Sequence, residues 1–164
     1  VEVTENLVVV TDPGFGNGAM EWVMRGFQLA DGNWIVALTE TDANQESSEC
    51  KLWIGQPFED DWLDLTDTAL PSISRRDFFD DRADLRVLEE YELVSLQYIL
   101  ARNGNELAVQ AKPNIAFECQ GGKLALEDLP SEDATLICQA WDSFLPQPII
   151  CNFDSVKGVF VLQR

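Results

Sequence analysis

The regular alternation of apolar and polar residues is the strongest pattern along this chain. Every second residue from Val94 to Leu100 is large and apolar, which is the two-residue period of a strand with one buried face. Asn103-Gly104 follows, a dipeptide that favours tight hairpin turns, and alternation resumes from Leu107 to Ala111. The segment therefore predicts an antiparallel hairpin.

Two other segments carry hairpin signals. Asp31-Gly32 lies between the apolar segments Phe27–Leu29 and Trp34–Val36. Gly121-Gly122 lies between residues 115–117 and 124–126, which are also mainly apolar. Helical periodicity is scarce: residues 60–70 predict a short helix, and residues 131–141 fit a helix or a strand equally well. The sequence predicts a mainly β fold, either all-β or β-rich α+β, built from antiparallel hairpins.

The two halves of the chain resemble each other. The segment from Glu21 lies over the segment from Glu92 at an offset of 71 residues, and Lys51 lies over Lys123 at an offset of 72. Chance similarity between β-rich segments is the alternative explanation. We predict two tandem repeats of about 75 residues, residues 5–82 and 83–164, in one pseudo-symmetric barrel or sandwich. Residues 1–164 are expected to form a single domain.

A glycine-rich stretch raises the possibility of a nucleotide site. Gly14 to Ala19 fits the G-x-G-x-x-[GA] pattern of dinucleotide-binding turns. That site requires a helix after Ala19 and then a parallel strand. The repeat instead aligns this segment with the strand predicted from Val94, so we predict a loop that joins two antiparallel strands.

The charge of the chain is strongly negative. It has 29 acidic and 11 basic residues, for a formal net charge of -18. Residues 1–82 hold 17 acids and 5 bases, a net charge of -12. Direct binding to nucleic acid or to an anionic membrane is not expected, because both depend on clustered Lys and Arg. The excess acid either serves solubility or steers a basic protein partner toward the surface.

The residue inventory excludes several chemistries. The chain has no histidine, so Ser-His-Asp and Cys-His catalysis and histidine-bearing zinc sites are impossible within it. Its four cysteines form no C-x-x-C pair, and Cys119, Cys138 and Cys151 are expected to be buried small apolar residues, with disulfides or ligands as the alternative. No apolar run is long enough to span a bilayer, and no signal-peptide pattern is visible. Because buried cysteines outside disulfides favour a reducing compartment, a cytoplasmic protein is expected. We assign no catalytic residue, cofactor or metal.

Four of the five tryptophans lie in the first half, close to an acidic run from Glu59 to Asp67. The tryptophans either fill a larger core or form a recognition surface together with the acids. The run lacks the glycine of a calcium loop, so no metal is assigned to it. The candidate partner-binding residues are Trp22, Trp34, Trp53, Glu59, Asp60, Asp61, Trp62 and Asp64.

These patterns predict a non-enzymatic acidic protein-binding module. An inhibitor or immunity-type protein that blocks a basic toxin or nuclease is one such module. One alternative is a small β-barrel or sandwich that holds an apolar ligand between the two repeats. A carboxylate-dependent enzyme is the third possibility, because 29 acids place some pair at a suitable separation in any fold.

Overall fold

The structure is a computed structural model of the 164-residue chain. It describes residues 1–12, 20–42, 50–58, 61–91, 93–113, 119–120, 123–124 and 131–163.

The first half of the chain forms a six-stranded antiparallel sheet. Its strands are adjacent in the order in which they occur, so each pairs with the next along the chain. Such short connections between neighbours are typical of antiparallel meanders. The strands are β1 (Glu2–Thr4), β2 (Leu7–Asp12), β3 (Met20–Gln28), β4 (Trp34–Asp42), β5 (Cys50–Phe58) and β6 (Asp61–Asp64).

The remaining elements include a second sheet and three helices. The second sheet has four strands in the order β12-β11-β8-β7, and β9 pairs with β10 alone. A 3-10 helix, Arg75–Phe78, follows the first short helix. The elements in chain order are α1 (Thr66–Ala69), α2 (Leu85–Glu90), β7 (Val94–Leu100), β8 (Glu106–Pro113), β9 (Cys119–Gln120), β10 (Lys123–Leu124), α3 (Ser131–Asp142), β11 (Ile149–Asp154) and β12 (Val159–Leu162).

The mainly β fold predicted from the alternation is confirmed. Gly32 and Gly104, which lie in the predicted hairpin turns, have φ angles of 90° and 95°. Glycine adopts such angles without steric cost, which explains the Asp-Gly and Asn-Gly dipeptides. Strand β3 runs antiparallel to β2, with Met20 opposite Asp12. The chain therefore makes no helical crossover after the glycine stretch, and the dinucleotide interpretation is excluded; Gly14 to Ala19 themselves lie outside the described residues.

The helix predicted for residues 60–70 is partly wrong. Trp62 lies in strand β6, and only Thr66–Ala69 form a helix. The carboxylate of Asp64 accepts hydrogen bonds from the backbone N–H and the hydroxyl of Thr66, at 2.9 and 2.7 Å. Those bonds turn the chain at the end of the strand. Residues 131–142, which fitted a helix or a strand, form helix α3.

The chain divides into two compact units. The first contains Val1–Ser72, Gln97–Val109 and Pro148–Arg164, and the second contains Ile73–Leu96 and Gln110–Gln147. The repeat boundary predicted near residue 82 falls inside the second unit. The single-domain organisation, the duplication and the barrel or sandwich closure stay predictions.

Each unit has an aromatic core of its own. In the first, the rings of Phe27, Phe153 and Phe160 contact one another with centroids 4.8 to 5.4 Å apart. In the second, Phe79 lies 5.4 Å from Phe144 and 6.3 Å from Trp141. Aromatic pairs in this range add stability beyond the burial of their area.

Cys138 is buried, as expected, but it is disulfide-bonded, which was the less favoured alternative. Cys151 is a free, buried thiol, as expected, and burial raises its pKa. Disulfides persist in oxidising compartments, so the cysteines no longer argue for a reducing one. Among the helices of the described ranges, none has the length and apolar character needed to cross a bilayer.

Candidate functional site

The six-stranded sheet has one buried face and one face with large exposed side chains. Along β3, Val23 and Phe27 are buried, while Met24 between them is 40% exposed. Since successive strand residues point to opposite faces, this alternation assigns each residue of the sheet to one side. The buried side carries Leu7, Val9, Val23, Phe27, Ile35, Ala37 and Ile54.

A row of apolar residues crosses the exposed side. Directly opposed residues on adjacent strands share a face, and one such series runs through five strands. Val3, at one end of this row, is 67% exposed. The row consists of Val3, Val8, Met24, Leu38 and Trp53.

All four tryptophans of the first half lie on this same side. Trp22 and Trp34 share the face of Met24 and Leu38 by their positions in β3 and β4. Trp53, Gly55 and Pro57 are alternate residues of β5 and therefore lie on the same side of it. Trp62 on β6 is directly opposite Pro57 and shares that side. We call this side the tryptophan face; it comprises Val3, Val8, Val10, Trp22, Met24, Gly26, Trp34, Val36, Leu38, Trp53, Gly55, Pro57 and Trp62.

Two of the indoles lie over glycines of neighbouring strands. A Cβ atom on Gly26 would be 3.1 Å from Cε3 of Trp34, and one on Gly55 would overlap the indole of Trp62. Each ring therefore packs on bare backbone on one side. Both tryptophans are still 40% exposed, which is a large fraction for such apolar side chains.

Trp22 is held by a hydrogen bond, unlike the packing of Trp34 and Trp62 on glycines. Its indole Nε1–H donates a 2.8 Å hydrogen bond to Oε2 of Glu40, the residue directly opposite on β4. A buried or half-buried indole N–H usually finds such an acceptor. The bond orients Trp22 at the polar end of the face.

A groove of about 610 Å³ lies on the tryptophan face beside the β1–β2 turn. Trp34, Met24 and Pro57 contribute large apolar side chains to it, and Gly26 leaves space for it. Glu5 is the acidic residue among its lining residues, none of which is a lysine or arginine. The full lining is Thr4, Glu5, Asn6, Leu7, Val8, Met24, Gly26, Trp34, Val36 and Pro57.

The predicted acidic residues are only partly joined to this face. Glu59 and Asp60 lie outside the described residues. Asp61 and Asp64 lie on the edge strand β6, and the carboxylate of Asp61 accepts a 2.8 Å hydrogen bond from the backbone N–H of Trp62. Asp64 shares the tryptophan face by its position opposite Gly55, but its carboxylate is bonded to Thr66, which lowers its pKa.

Four carboxyl groups of the described residues are held in the ionised form by hydrogen bonds. These bonds lower the pKa of Asp64, Asp80, Asp84 and Asp154. A general acid at neutral pH needs the opposite shift. Within the described parts of the chain, no three acidic or cysteine side chains are grouped to hold a metal.

No family model matches the chain, and no curated protein is detectably similar to it. A solved structure with a similar fold is a domain of an uncharacterized protein from Porphyromonas gingivalis W83. The two share 16% sequence identity over 98% of this chain and 82% of that domain, with a TM-score of 0.57. At this identity the similarity supports the fold alone.

The sequence pointed to the tryptophans but missed the aliphatic residues beside them. Met24, Leu38 and Val8 complete the apolar row, and Glu5 supplies the acid in the groove. Alternation shows which residues of one strand share a side. Whether these residues form one surface depends on the register between strands, which is known only from the strand pairing in the structure.

Proposed function

We propose that this chain is a non-enzymatic protein-binding module that holds a basic protein partner on the tryptophan face. The observation that carries the proposal is the placement of four tryptophans and an apolar row on one side of the sheet, with large side chains exposed. Aromatic residues and methionine are the types enriched in the centres of protein interfaces.

The shape of this surface favours a protein over a small molecule. The apolar row extends across five strands, and neighbouring strands are about 4.8 Å apart, so the face is wide. Small-molecule sites are concave and bury most of their ligand. A broad face suits a partner that covers several strands at once.

The charge of the chain favours a basic partner over a second copy of itself. Two copies would each carry a net charge of -18, and their repulsion opposes association through any surface. A basic protein is attracted over a distance and gains contact with the tryptophans after it has docked. This order of events, steering and then burial, is the mechanism we assign to the module.

Such a module acts by occupancy. A partner whose basic surface binds a polyanion, as nucleases and some toxins do, would lose access to it while that surface is covered. An inhibitor or immunity-type role follows from this mechanism without any chemistry at the site. The apolar-ligand and carboxylate-enzyme alternatives stay predictions.

The compartment in which this chain resides determines which partners it can meet. The cytoplasmic location expected from the sequence stays a prediction. The disulfide at Cys138 argues for an oxidising compartment instead. Fractionation of the native source under thiol-blocking conditions tests both at once.

The experiment begins with partners recovered from the native source and then measures binding with purified proteins. We expect a basic partner whose association rate falls steeply as salt is raised, because screening removes the steering. Trp34→Ala and Met24→Ala are expected to weaken binding about tenfold each. Leu145→Ala is the matched control, since Leu145 is an exposed apolar residue, 45% accessible, that belongs to the second compact unit and not to the six-stranded sheet.

Two results would contradict the proposal. One is a partner that is neutral or acidic and binds independently of salt. The other is a partner for which Trp34→Ala and Leu145→Ala have the same small effect, since the tryptophan face would then lie outside the interface.

A further inference from the structure

The groove beside the β1–β2 turn combines a carboxylate with an exposed indole. Glu5 and Trp34 both line it, together with Met24 and Val36. Most of the lining residues are apolar, so a cation that enters the groove meets few polar groups other than those of Thr4, Glu5 and Asn6. Two other acids on this side of the sheet, Glu40 and Asp64, are instead hydrogen-bonded to Trp22 and Thr66.

Glu5 has no ion pair or hydrogen bond among the residues that the structure describes. Two other acids of the six-stranded sheet do have a cationic neighbour: Arg102 lies 3.1 Å from Glu2 and 3.9 Å from Glu21. The charge of Glu5 is therefore not compensated by an ion pair within the described part of the chain. A cation from outside can be accommodated without breaking an existing pair.

Trp34 offers an open aromatic surface. One side of its ring packs on the backbone at Gly26, and 40% of the residue is accessible. A cation placed over an indole is attracted by the negative potential of the ring face. The methylene stem that carries such a cation can pack on Met24 and Val36, as long basic side chains do on apolar surfaces.

We propose that this groove binds one arginine side chain of the basic partner, with the guanidinium between the Trp34 ring and the Glu5 carboxylate. Arginine fits better than lysine because its planar group both stacks on an aromatic ring and forms paired bonds with a carboxylate. The inference rests on the proposed function and specifies which residue type of the partner enters the groove.

The test uses the isotope-labelled full chain and N-acetyl-arginine amide as the probe, followed by NMR. We expect saturable shifts at the Trp34 indole N–H and the Gly26 amide. N-acetyl-citrulline amide, which has nearly the same shape without the charge, is expected to bind at least several-fold more weakly.

Glu5→Gln should weaken binding of the arginine probe about two- to fivefold, the range for an exposed ion pair. Glu106→Gln, an exposed acid outside the groove, is the matched control and should change nothing.

The proposal is overturned if the arginine probe causes no shift at Trp34 or Gly26 up to its solubility limit. Equal binding of the citrulline probe, or no effect of Glu5→Gln, overturns it as well. Equal or tighter binding of N-acetyl-lysine amide overturns the assignment to arginine. If the probe fails while Trp34→Ala still weakens the partner, the groove assignment is wrong and the binding module stands. If the probe behaves as expected while Met24→Ala and Trp34→Ala leave the partner unaffected, the proposed function is wrong.

Discussion

The indole of Trp62 occupies the position that a side chain on Gly55 would take on the neighbouring strand. Gly55 is buried although it lies on the tryptophan face, because the ring covers it. Glycine weakens a strand through its backbone freedom, and an aromatic ring packed on it from the adjacent strand compensates. The pair therefore couples the edge strand β6 to β5.

Gly55→Ala is predicted to displace the Trp62 ring and to lower the free energy of unfolding by about 1–3 kcal/mol, the usual cost of overpacking. Urea denaturation followed by circular dichroism measures the loss. The emission of Trp62 should shift to the red in the same variant, because the displaced ring is more exposed.

The control for this prediction is a double-mutant cycle. In a Trp62→Ala background the added methyl no longer overlaps the indole, so Gly55→Ala should cost much less there. Gly26→Ala is a milder comparison, since its Cβ would be 3.1 Å from the Trp34 ring and a small movement suffices. Equal costs of Gly55→Ala in both backgrounds would show that the clash is absent.

The fold was predictable where local signals decide it. The dipeptides at Gly32 and Gly104 require positive φ angles, and the alternation around them needs no knowledge of distant contacts. Residues 60–70 were predicted less well because a short run of apolar residues fits both an edge strand and a short helix. There the pairing of Trp62 with Pro57, a tertiary contact, decides for the strand.

The candidate site was predictable in composition but not in assembly. The excess of tryptophan in the first half identified Trp22, Trp34, Trp53 and Trp62. Their shared side depends on the register of four strands, and a shift of one residue would send a strand's side chains to the other face. The disulfide at Cys138 was missed because spacing alone does not show which distant cysteines meet.

Reduction of the disulfide at Cys138 is predicted to destabilise the protein. A natural disulfide contributes about 2–4 kcal/mol, chiefly by restricting the unfolded chain. The urea midpoint should fall after treatment with reductant, and Cys138→Ala should show the low midpoint with or without reductant. Cys151→Ala is the control because Cys151 is a free, buried thiol, so it should keep the response to reductant. A midpoint of the natural chain that is insensitive to reductant would contradict the prediction.

Asp154 is predicted to make a pH-dependent contribution to stability. Its Oδ1 accepts hydrogen bonds from the N–H groups of Val156 and Lys157, at 3.0 and 3.1 Å, and these bonds lower its pKa. A pKa that is lower in the folded state than in the unfolded state stabilises the protein above the unfolded value of about 3.9. That contribution is lost as the pH falls through the lower, folded value.

Asp154→Asn should therefore be less stable than the natural chain at pH 7, with a difference that shrinks below about pH 4. Urea unfolding at a series of pH values measures it. Glu106→Gln, at an exposed position, serves as the control and should show no such change of difference with pH. A constant difference between the natural chain and Asp154→Asn from pH 7 to pH 2 would mean that ionisation of Asp154 does not matter.

The exposed tryptophan face is predicted to drive self-association once charge repulsion is removed. At pH 7 the net charge of -18 should keep copies apart at low ionic strength. At about 1 M NaCl the Debye length falls to about 3 Å, which screens the repulsion without protonating the carboxylates or weakening apolar contacts.

We expect a monomer in low salt and a rising average mass in high salt, measured by sedimentation equilibrium. Trp34→Ser and Met24→Ser should suppress the rise, because they remove exposed apolar area from the face, whereas Leu145→Ser should not. If Leu145→Ser suppresses association as strongly as Trp34→Ser, the copies meet through another surface. If only Trp34→Ser and Met24→Ser suppress association, the tryptophan face itself mediates it, and the charge of the chain prevents this association in low salt.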